Sequence, residues 1–178
     1  MIVWWIGGAL FFLLAGGIVV FNGLIMARNQ VRAAWSDIDV QLTRRHDLVP
    51  QLVTTVKAYA DYEKATLTTV TELRTRAEAA ASLGDRGKLE GELGQQIDRI
   101  LALQERYPDL KASDNFLALQ RDLIDVEDHL QYARRFYNGA VRDLNTRIEQ
   151  FPNLIVARIA NFHAAEFFQD GKHDKAPS

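Results

Sequence analysis

The sharpest change of pattern along the chain falls at Arg28. Residues 1–27 contain no charged side chain and are rich in Ile, Val, Leu, Phe and Trp. About 20 apolar residues are enough to cross the hydrocarbon core of a bilayer. A cleaved signal peptide would have a basic start and a small-residue cleavage site, and a buried core helix would carry a polar face. We therefore predict an uncleaved transmembrane anchor at 1–27, with Trp4 and Trp5 at a membrane–water interface.

Basic residues near the predicted anchor lie only on its C-terminal side. Arg28, Arg32, Arg44 and Arg45 follow it, and no Lys or Arg precedes it. Basic residues close to a span tend to remain in the cytoplasm. We expect a single-pass protein with its N-terminus outside and its C-terminal domain in the cytoplasm.

Beyond the anchor, apolar residues recur at alternating steps of four and three, which is the spacing of a coiled-coil or bundle helix. The residues that follow this spacing are Val31, Trp35, Ile38, Leu42, Val49, Leu52, Val56, Tyr59, Val70, Leu73 and Ala77. The pattern predicts one long amphipathic helix, with Trp35 in the core. Pro50 removes a backbone hydrogen bond, so the helix either kinks there or restarts with Asp47 as its N-cap.

Two charged residues, Arg45 and Glu63, occupy positions of the same apolar face. An unpaired buried charge is costly, so each is expected to have an oppositely charged or hydrogen-bonding partner. The candidate partners on a later helix are Glu127, Asp128, Arg134 and Arg135.

Four glycines between Ser82 and Gly94 predict a loop with a frayed helix start. A short second helix then continues to Tyr107, where Pro108 ends it. A third helix, with Ser113 or Asp114 as N-cap, holds its four-three spacing as far as Phe151. Such helices cannot bury their apolar faces alone, and no strand pattern competes, so we predict an all-α antiparallel helix bundle.

The segment 153–168 is too apolar for a free tail, and it needs a cover. The bundle itself, a neighbouring subunit or the membrane interface would serve, and we expect the bundle or a neighbour because Arg158 and His163 are the only basic residues there. Composition becomes that of a disordered end from Gln169 onward. The predicted domains are the anchor at 1–27, a helical bundle at 28–168 and a disordered tail at 169–178.

Composition and motifs point away from catalysis. The 21 basic and 23 acidic residues are nearly balanced, so no broad basic field favours nucleic acid, and cysteine is absent. The histidines, His46, His129, His163 and His173, lack the Glu-x-x-His spacing of di-iron bundles and are interpreted as surface or helix-end residues. No phosphate-binding loop or nucleophile elbow is present. Asp37, Asp39 and Asp47 lie close together in the sequence, but Asp37 and Asp39 would point about 200° apart on a helix and are poor candidates for joint acid–base work. We therefore predict no catalytic, cofactor-binding or metal-binding residues.

Several short segments, taken in order, carry a specific resemblance. They are Phe21-Asn22-Gly23-Leu24, Arg28-Asn29-Gln30-Val31, Ala34-Trp35-Ser36-Asp37-Ile38-Asp39-Val40-Gln41-Leu42, Arg44-Arg45, Asp47-Leu48-Val49-Pro50, Tyr107-Pro108-Asp109-Leu110-Lys111, Asn115-Phe116, Ala133-Arg134-Arg135-Phe136-Tyr137-Asn138, Asn145 and Phe151-Pro152. Over residues 21–168 the chain resembles the LemA family.

The resemblance implies a four-helix bundle on a single span in a bacterial inner membrane, with no established enzymatic activity and no catalytic residues to transfer. It favours a scaffold or adaptor that self-associates or holds a membrane partner such as a membrane protease. The alternative is an enzyme or metal-binding bundle with a carboxylate site. Besides the lipid bilayer, the expected partners are a second copy or a membrane protein, and neither nucleic acid nor a small-molecule substrate is expected.

Overall fold

The structure, a computed structural model, describes residues 2–60 and 63–169, and all regular backbone within these ranges is helical. The helices are α1 (Ile2–Lys57), α2 (Lys64–Ala79), α3 (Leu83–Leu101), α4 (Pro108–Lys111), α5 (Asp114–Glu149) and α6 (Asn153–Ile159). A 3₁₀ turn at Ala102–Glu105 follows α3. The all-α prediction is confirmed.

The chain separates into two compact units, described one at a time below. The span unit consists of Met1–Asp37 and Arg135–Phe167. Of the described residues, the bundle unit contains those of Ile38–Arg134 together with Phe168 and Gln169.

Within the bundle unit, the C-terminal part of α1 packs with α2, α3 and the first part of α5. Contacts between polar side chains give the directions: Asp39 with Arg86, Glu63 with Arg106, Arg44 with Asp125, and Arg74 with the backbone of His46. Each successive helix therefore runs opposite to the one before it. The buried core comprises Ile38, Leu42, Val49, Leu52, Val56, Val70, Leu73, Ala77, Leu93, Ile100, Leu103, Leu123, Val126 and Leu130. The antiparallel four-helix bundle is confirmed.

Within the span unit, the N-terminal part of α1 packs against the second part of α5. Leu24, Ala27, Val31 and Ala34 form its buried face. Trp35 lies only half-buried at the edge of this face, and its ring meets that of Tyr137 edge-on at 5.7 Å. The predicted full burial of Trp35 is therefore wrong, because Ala34 takes the inward position.

The long predicted helix continues through Pro50 but ends at Lys57. The alternative of a restart with Asp47 as N-cap is wrong, because α1 is continuous through Pro50. Helix α2 begins at Lys64 and runs back along α1. A helix running on to Ala77 is wrong, because folding α2 back against α1 buries both apolar faces in one core.

The predicted loop at 82–94 is also wrong, because α3 begins at Leu83 and includes all four glycines. Ser82 is its N-cap, with its hydroxyl accepting a 3.0 Å bond from the Asp85 N–H. Gly87 has a packing role: a Cβ there would lie 1.9 Å from the carbonyl oxygen of Gln169. Tertiary contact thus outweighs the low helix propensity of glycine.

The C-terminal segment is held partly by the chain itself. In the span unit, the Tyr137 hydroxyl donates to the Glu166 carbonyl at 2.9 Å, and the Asn145 amide forms two bonds with the Ala165 backbone. In the bundle unit, Phe168 is buried, with the Arg134 guanidinium 5.3 Å from its ring centre. Apart from Gln169, the predicted disordered tail at 169–178 lies outside the described residues.

Candidate functional site

Three charged or ionisable side chains are buried together in the bundle unit. Among the described residues, Arg45 and His46 are each 3% exposed, and Glu90 is 0% exposed. The Glu90 carboxylate joins them: one oxygen lies 2.6 Å from Nε2 of His46 and the other 3.5 Å from Nη1 of Arg45. We call Arg45, His46 and Glu90 the buried triad.

Helices α2 and α5 of the bundle unit add charged partners to this triad. Helix α5 supplies Glu127, whose carboxylate bonds to Nη2 of Arg45. Helix α2 supplies Glu78, 3.5 Å from Nδ1 of His46, and Arg74, which pairs with Glu78 at 2.9 Å. These contacts fix the alignment of α1, α2, α3 and α5, because sliding any one of these helices would separate a pair of charges.

Consecutive positions on α1 make the arrangement possible. Arg45 continues the apolar face at the step between Leu42 and Val49, and His46 lies about 100° further around the helix. The two side chains thus reach Glu90 from neighbouring directions. On α3, Glu90 continues the spacing of Leu93 and Ile97, so it points into the core with them.

Burial disfavours the charged form of the Arg45 side chain. It lowers the pKa of the guanidinium to about 10, although the Glu90 carboxylate acts in the opposite direction. The group is still positively charged at neutral pH. Two carboxylates, Glu90 and Glu127, lie against that charge.

The triad is poorly suited to catalysis or to metal binding. Both carboxylate oxygens of Glu90 already have partners, and the guanidinium beside them would repel a metal cation. No group of three or more His, Asp or Glu residues in the described part of the chain is placed to hold a metal ion. The geometry serves instead to fix the helices against one another.

The structure answers the sequence predictions residue by residue. Arg45 has the predicted Glu127 as a partner, and Glu63 pairs with Arg106 at 2.9 Å. The interpretation of His46 as a surface residue is wrong, because its ring is enclosed by the bundle. His129 and His163 are exposed as predicted, and His173 lies outside the described residues.

Sequence reasoning missed Glu90. The glycines around it indicated a loop, although Glu90, Leu93, Ile97 and Ile100 follow the same three-four spacing as the other helices. That spacing was the available signal. The aspartates considered for acid–base work are not brought together: Asp37 and Asp47 are exposed, and Asp39 pairs with Arg86 at 2.7 Å.

An open groove of about 580 Å³ lies between α1 and α5 of the bundle unit. Its lining residues are mostly small or uncharged, namely Pro50, Gln51, Thr54, Thr55, Asn115, Ala118, Leu119 and Asp122. Asp122 is the one titratable side chain in that lining. The groove therefore lacks the paired ionisable groups of a general acid–base site.

One described helix, α1, is long and apolar enough to cross a membrane. Its hydrophobic stretch has a mean hydropathy of 2.3, and only 6% of that stretch is buried. Trp4, Phe12 and Val19 are 86%, 76% and 71% exposed.

Comparison with known proteins assigns the chain to a family. A sequence model of the LemA family matches residues 34–178, which include the whole buried triad. The chain belongs to the LemA family. The resemblance to this family that the short sequence segments indicated is therefore confirmed.

Individual relatives of this LemA protein are distant. Magnetosome protein MamQ 2 of Paramagnetospirillum magneticum is 24% identical, over 84% of this chain and 65% of the relative. Magnetosome protein MamQ of Magnetospirillum gryphiswaldense is 22% identical over the same shares. Protein LemA of Metamycoplasma hominis is 29% identical, over 90% of this chain and 76% of the relative. The chain thus spans just under two thirds of the length of the magnetosome relatives.

Proposed function

We propose that this LemA-family protein is a single-pass membrane protein whose helical bundle acts as a non-catalytic scaffold or adaptor. The observation that carries the proposal is the exposed apolar surface of α1 between Trp4 and Val19. In water, apolar surface costs about 25 cal/mol per Å². In a bilayer the same surface is favourable, and a helix leaves no backbone hydrogen bond unmade there.

The orientation that we propose places the bundle in the cytoplasm and the N-terminus outside the inner membrane. Arg28 and Arg32 directly follow the apolar segment. The positive-inside tendency supports this arrangement.

A scaffold role agrees with how the ionisable groups are used. The buried triad and its partners bond to one another, and none of them lines the groove between α1 and α5. Exposed apolar side chains remain on α5, where Ile124 is 51% and Tyr132 is 68% exposed. Such surface suits a second copy of the chain or a membrane protein, such as a membrane protease.

The names of the relatives also support an assembly role. Two of the proteins to which the chain is similar are named as magnetosome proteins. This chain matches them along part of their length, so the similarity supports participation in an assembly and no particular assembly.

The competing function is a metal-binding or enzymatic bundle with a carboxylate site. It would need Glu90 or Glu127 to turn from Arg45 to a metal ion. Elemental analysis of the purified full chain distinguishes the two, because a metal enzyme would carry stoichiometric metal and a scaffold would carry none.

The experiment that tests the scaffold proposal uses two differently tagged full-length copies co-expressed in cells. Membranes are washed with carbonate, solubilised in mild detergent and purified through one tag. We expect the chain to remain in the washed membranes, and to bring down either the second tagged copy or a membrane protein in stoichiometric amount. Release by carbonate would contradict the anchor, and a monodisperse monomer without a stoichiometric partner would contradict the scaffold role.

A further inference from the structure

Apolar side chains around α6 point away from the protein. Phe151 is 81% exposed, Ile155 is 52% exposed and Ile159 is 82% exposed. Ile155 and Ile159 are four residues apart, so they lie on one face of the helix. Ala157, on another face, is buried. Helix α6 thus presents an apolar face outward, the reverse of what contact with water favours.

This face lies beside the end of the charge-free segment of α1. Phe162, just beyond α6, packs edge-on against Phe21 with 6.0 Å between the ring centres. The guanidinium of Arg28 lies 5.1 Å from the centre of the same Phe162 ring. The Phe162 N–H donates to the Ala157 carbonyl at 2.9 Å, which fixes this ring at the C-terminal end of α6.

The length of the transmembrane segment indicates how deep in the membrane the contact between Phe21 and Phe162 lies. A span that begins with Trp4 at one interface needs about 20 residues to cross the hydrocarbon core, which ends it near Leu24. Phe21 is three residues before Leu24, a distance of roughly 5 Å at 1.5 Å per residue. Leu24 and Ala27 are themselves buried by the span unit, so protein surrounds α1 at the level of the membrane border.

We propose that α6, with Phe151 and the exposed isoleucines, forms a second membrane contact that lies in the bilayer interface beside the transmembrane helix. The proposal rests on the proposed anchor, because the depth of α6 relative to the membrane follows from the contact between Phe162 and Phe21 of the transmembrane segment. Short amphipathic segments bind at this depth by inserting their apolar side among headgroups and upper acyl chains. Arg158 and His163 are the only basic residues in 153–168, so apolar burial supplies the binding and anionic lipid is not required.

The sequence predicted that the bundle or a neighbour would cover this segment, and lipid replaces that cover only for the part that the chain itself leaves exposed. The chain itself covers Phe162 in part and Phe168 almost completely. Phe151, Ile155 and Ile159 remain exposed. In the proposed arrangement, the lipid around the nearby end of the transmembrane segment covers these three side chains.

The absence of cysteine allows a direct test in the full chain. Single variants Ile155→Cys and Ile159→Cys carry a nitroxide spin label and are reconstituted in phosphatidylcholine vesicles, with and without phosphatidylglycerol. Electron paramagnetic resonance compares the accessibility of each label to oxygen, which concentrates in lipid, and to a water-soluble nickel chelate. Val40→Cys is the matched control, since Val40 is also an exposed β-branched residue, at 60%, but lies in the bundle unit. Leu13→Cys reports on the anchor.

We expect a higher ratio of oxygen accessibility to nickel accessibility at 155 and 159 than at 40, in both lipid mixtures. High nickel accessibility at 155 and 159, with Leu13→Cys still in lipid, would overturn the interfacial contact and leave the anchor intact. Labels at 155 and 159 that neither reagent reaches would also overturn it, because a protein neighbour would then cover the face. High nickel accessibility of the label at Leu13→Cys would contradict the transmembrane anchor, and the proposed membrane contact of α6 would then be wrong as well.

Discussion

Nε of Arg74 donates a 2.8 Å hydrogen bond to the backbone oxygen of His46. That oxygen lies four residues before Pro50, which has no N–H to offer it. Helix α2 thus supplies the donor that α1 lacks, and this explains how α1 continues through a proline without leaving a buried carbonyl unsatisfied.

This relationship predicts coupling between Arg74 and Pro50. In the natural chain, Arg74→Ala should lower the free energy of unfolding by about 1 to 2 kcal/mol. In a Pro50→Ala background the helix can supply its own N–H, so the same change should cost about 1 kcal/mol less. Denaturant unfolding of the four detergent-solubilised variants measures the difference. Equal costs in both backgrounds would show that Arg74 acts only through its ion pair with Glu78.

The buried triad predicts a strong dependence of stability on Glu90. Glu90→Gln removes the fully buried carboxylate that faces Arg45 and His46 and leaves Arg45 with only the part-exposed Glu127 as a carboxylate partner. Breaking a buried ion pair costs about 3 kcal/mol or more. Glu92→Gln makes the same chemical change at an exposed position of α3 and should alter stability by less than about 0.5 kcal/mol. Thermal unfolding of both variants provides the comparison, and similar melting temperatures would contradict the importance of the triad.

Two glycines of α3 should respond in opposite directions to alanine. At Gly87 the new Cβ would meet the carbonyl of Gln169, so Gly87→Ala should cost about 1 to 3 kcal/mol. At Gly84 nothing lies within 4 Å of the new atom, so Gly84→Ala should be neutral or stabilising by up to about 1 kcal/mol. A stabilised Gly87→Ala variant would mean that Gln169 does not pack against α3.

Tyr137 predicts a specific dependence on alkaline pH. Burial raises the pKa of its hydroxyl above 10.0, and the Glu166 carboxylate adds to the rise. The folded chain therefore keeps this proton at a pH where the unfolded chain loses it. The resulting stabilisation is complete below pH 10 and is lost as the pH rises through the folded-state pKa.

The variant Tyr137→Phe tests this dependence. It should be less stable than the natural chain by about 1 kcal/mol at neutral pH, because the hydrogen bond to the Glu166 carbonyl is lost. The difference should narrow above pH 10. Tyr59→Phe, at an exposed tyrosine, should follow the natural chain at every pH, and a constant difference for Tyr137→Phe would refute the titration argument.

The sequence by itself determined the helical faces of this protein. Ile38, Leu42, Val49, Leu52 and Val56 were assigned to the core from spacing alone, and all five are buried. Ser113 was a predicted cap of α5, and its hydroxyl accepts a 3.4 Å bond from the Phe116 N–H. These features follow from the geometry of a single helix, which the order of residues encodes without reference to distant partners.

The tertiary structure alone decided where α1 reverses, whether the glycines form helix, and which charges are enclosed. No glycine or proline lies between Lys57 and Lys64 to mark the reversal. Gly87 is helical because a backbone from the other end of the chain packs against it, and His46 is buried because Glu90 faces it from α3. The last two outcomes depend on contacts between residues more than 40 positions apart, and the free energy of such a contact exceeds the small local preferences by which a sequence pattern is interpreted.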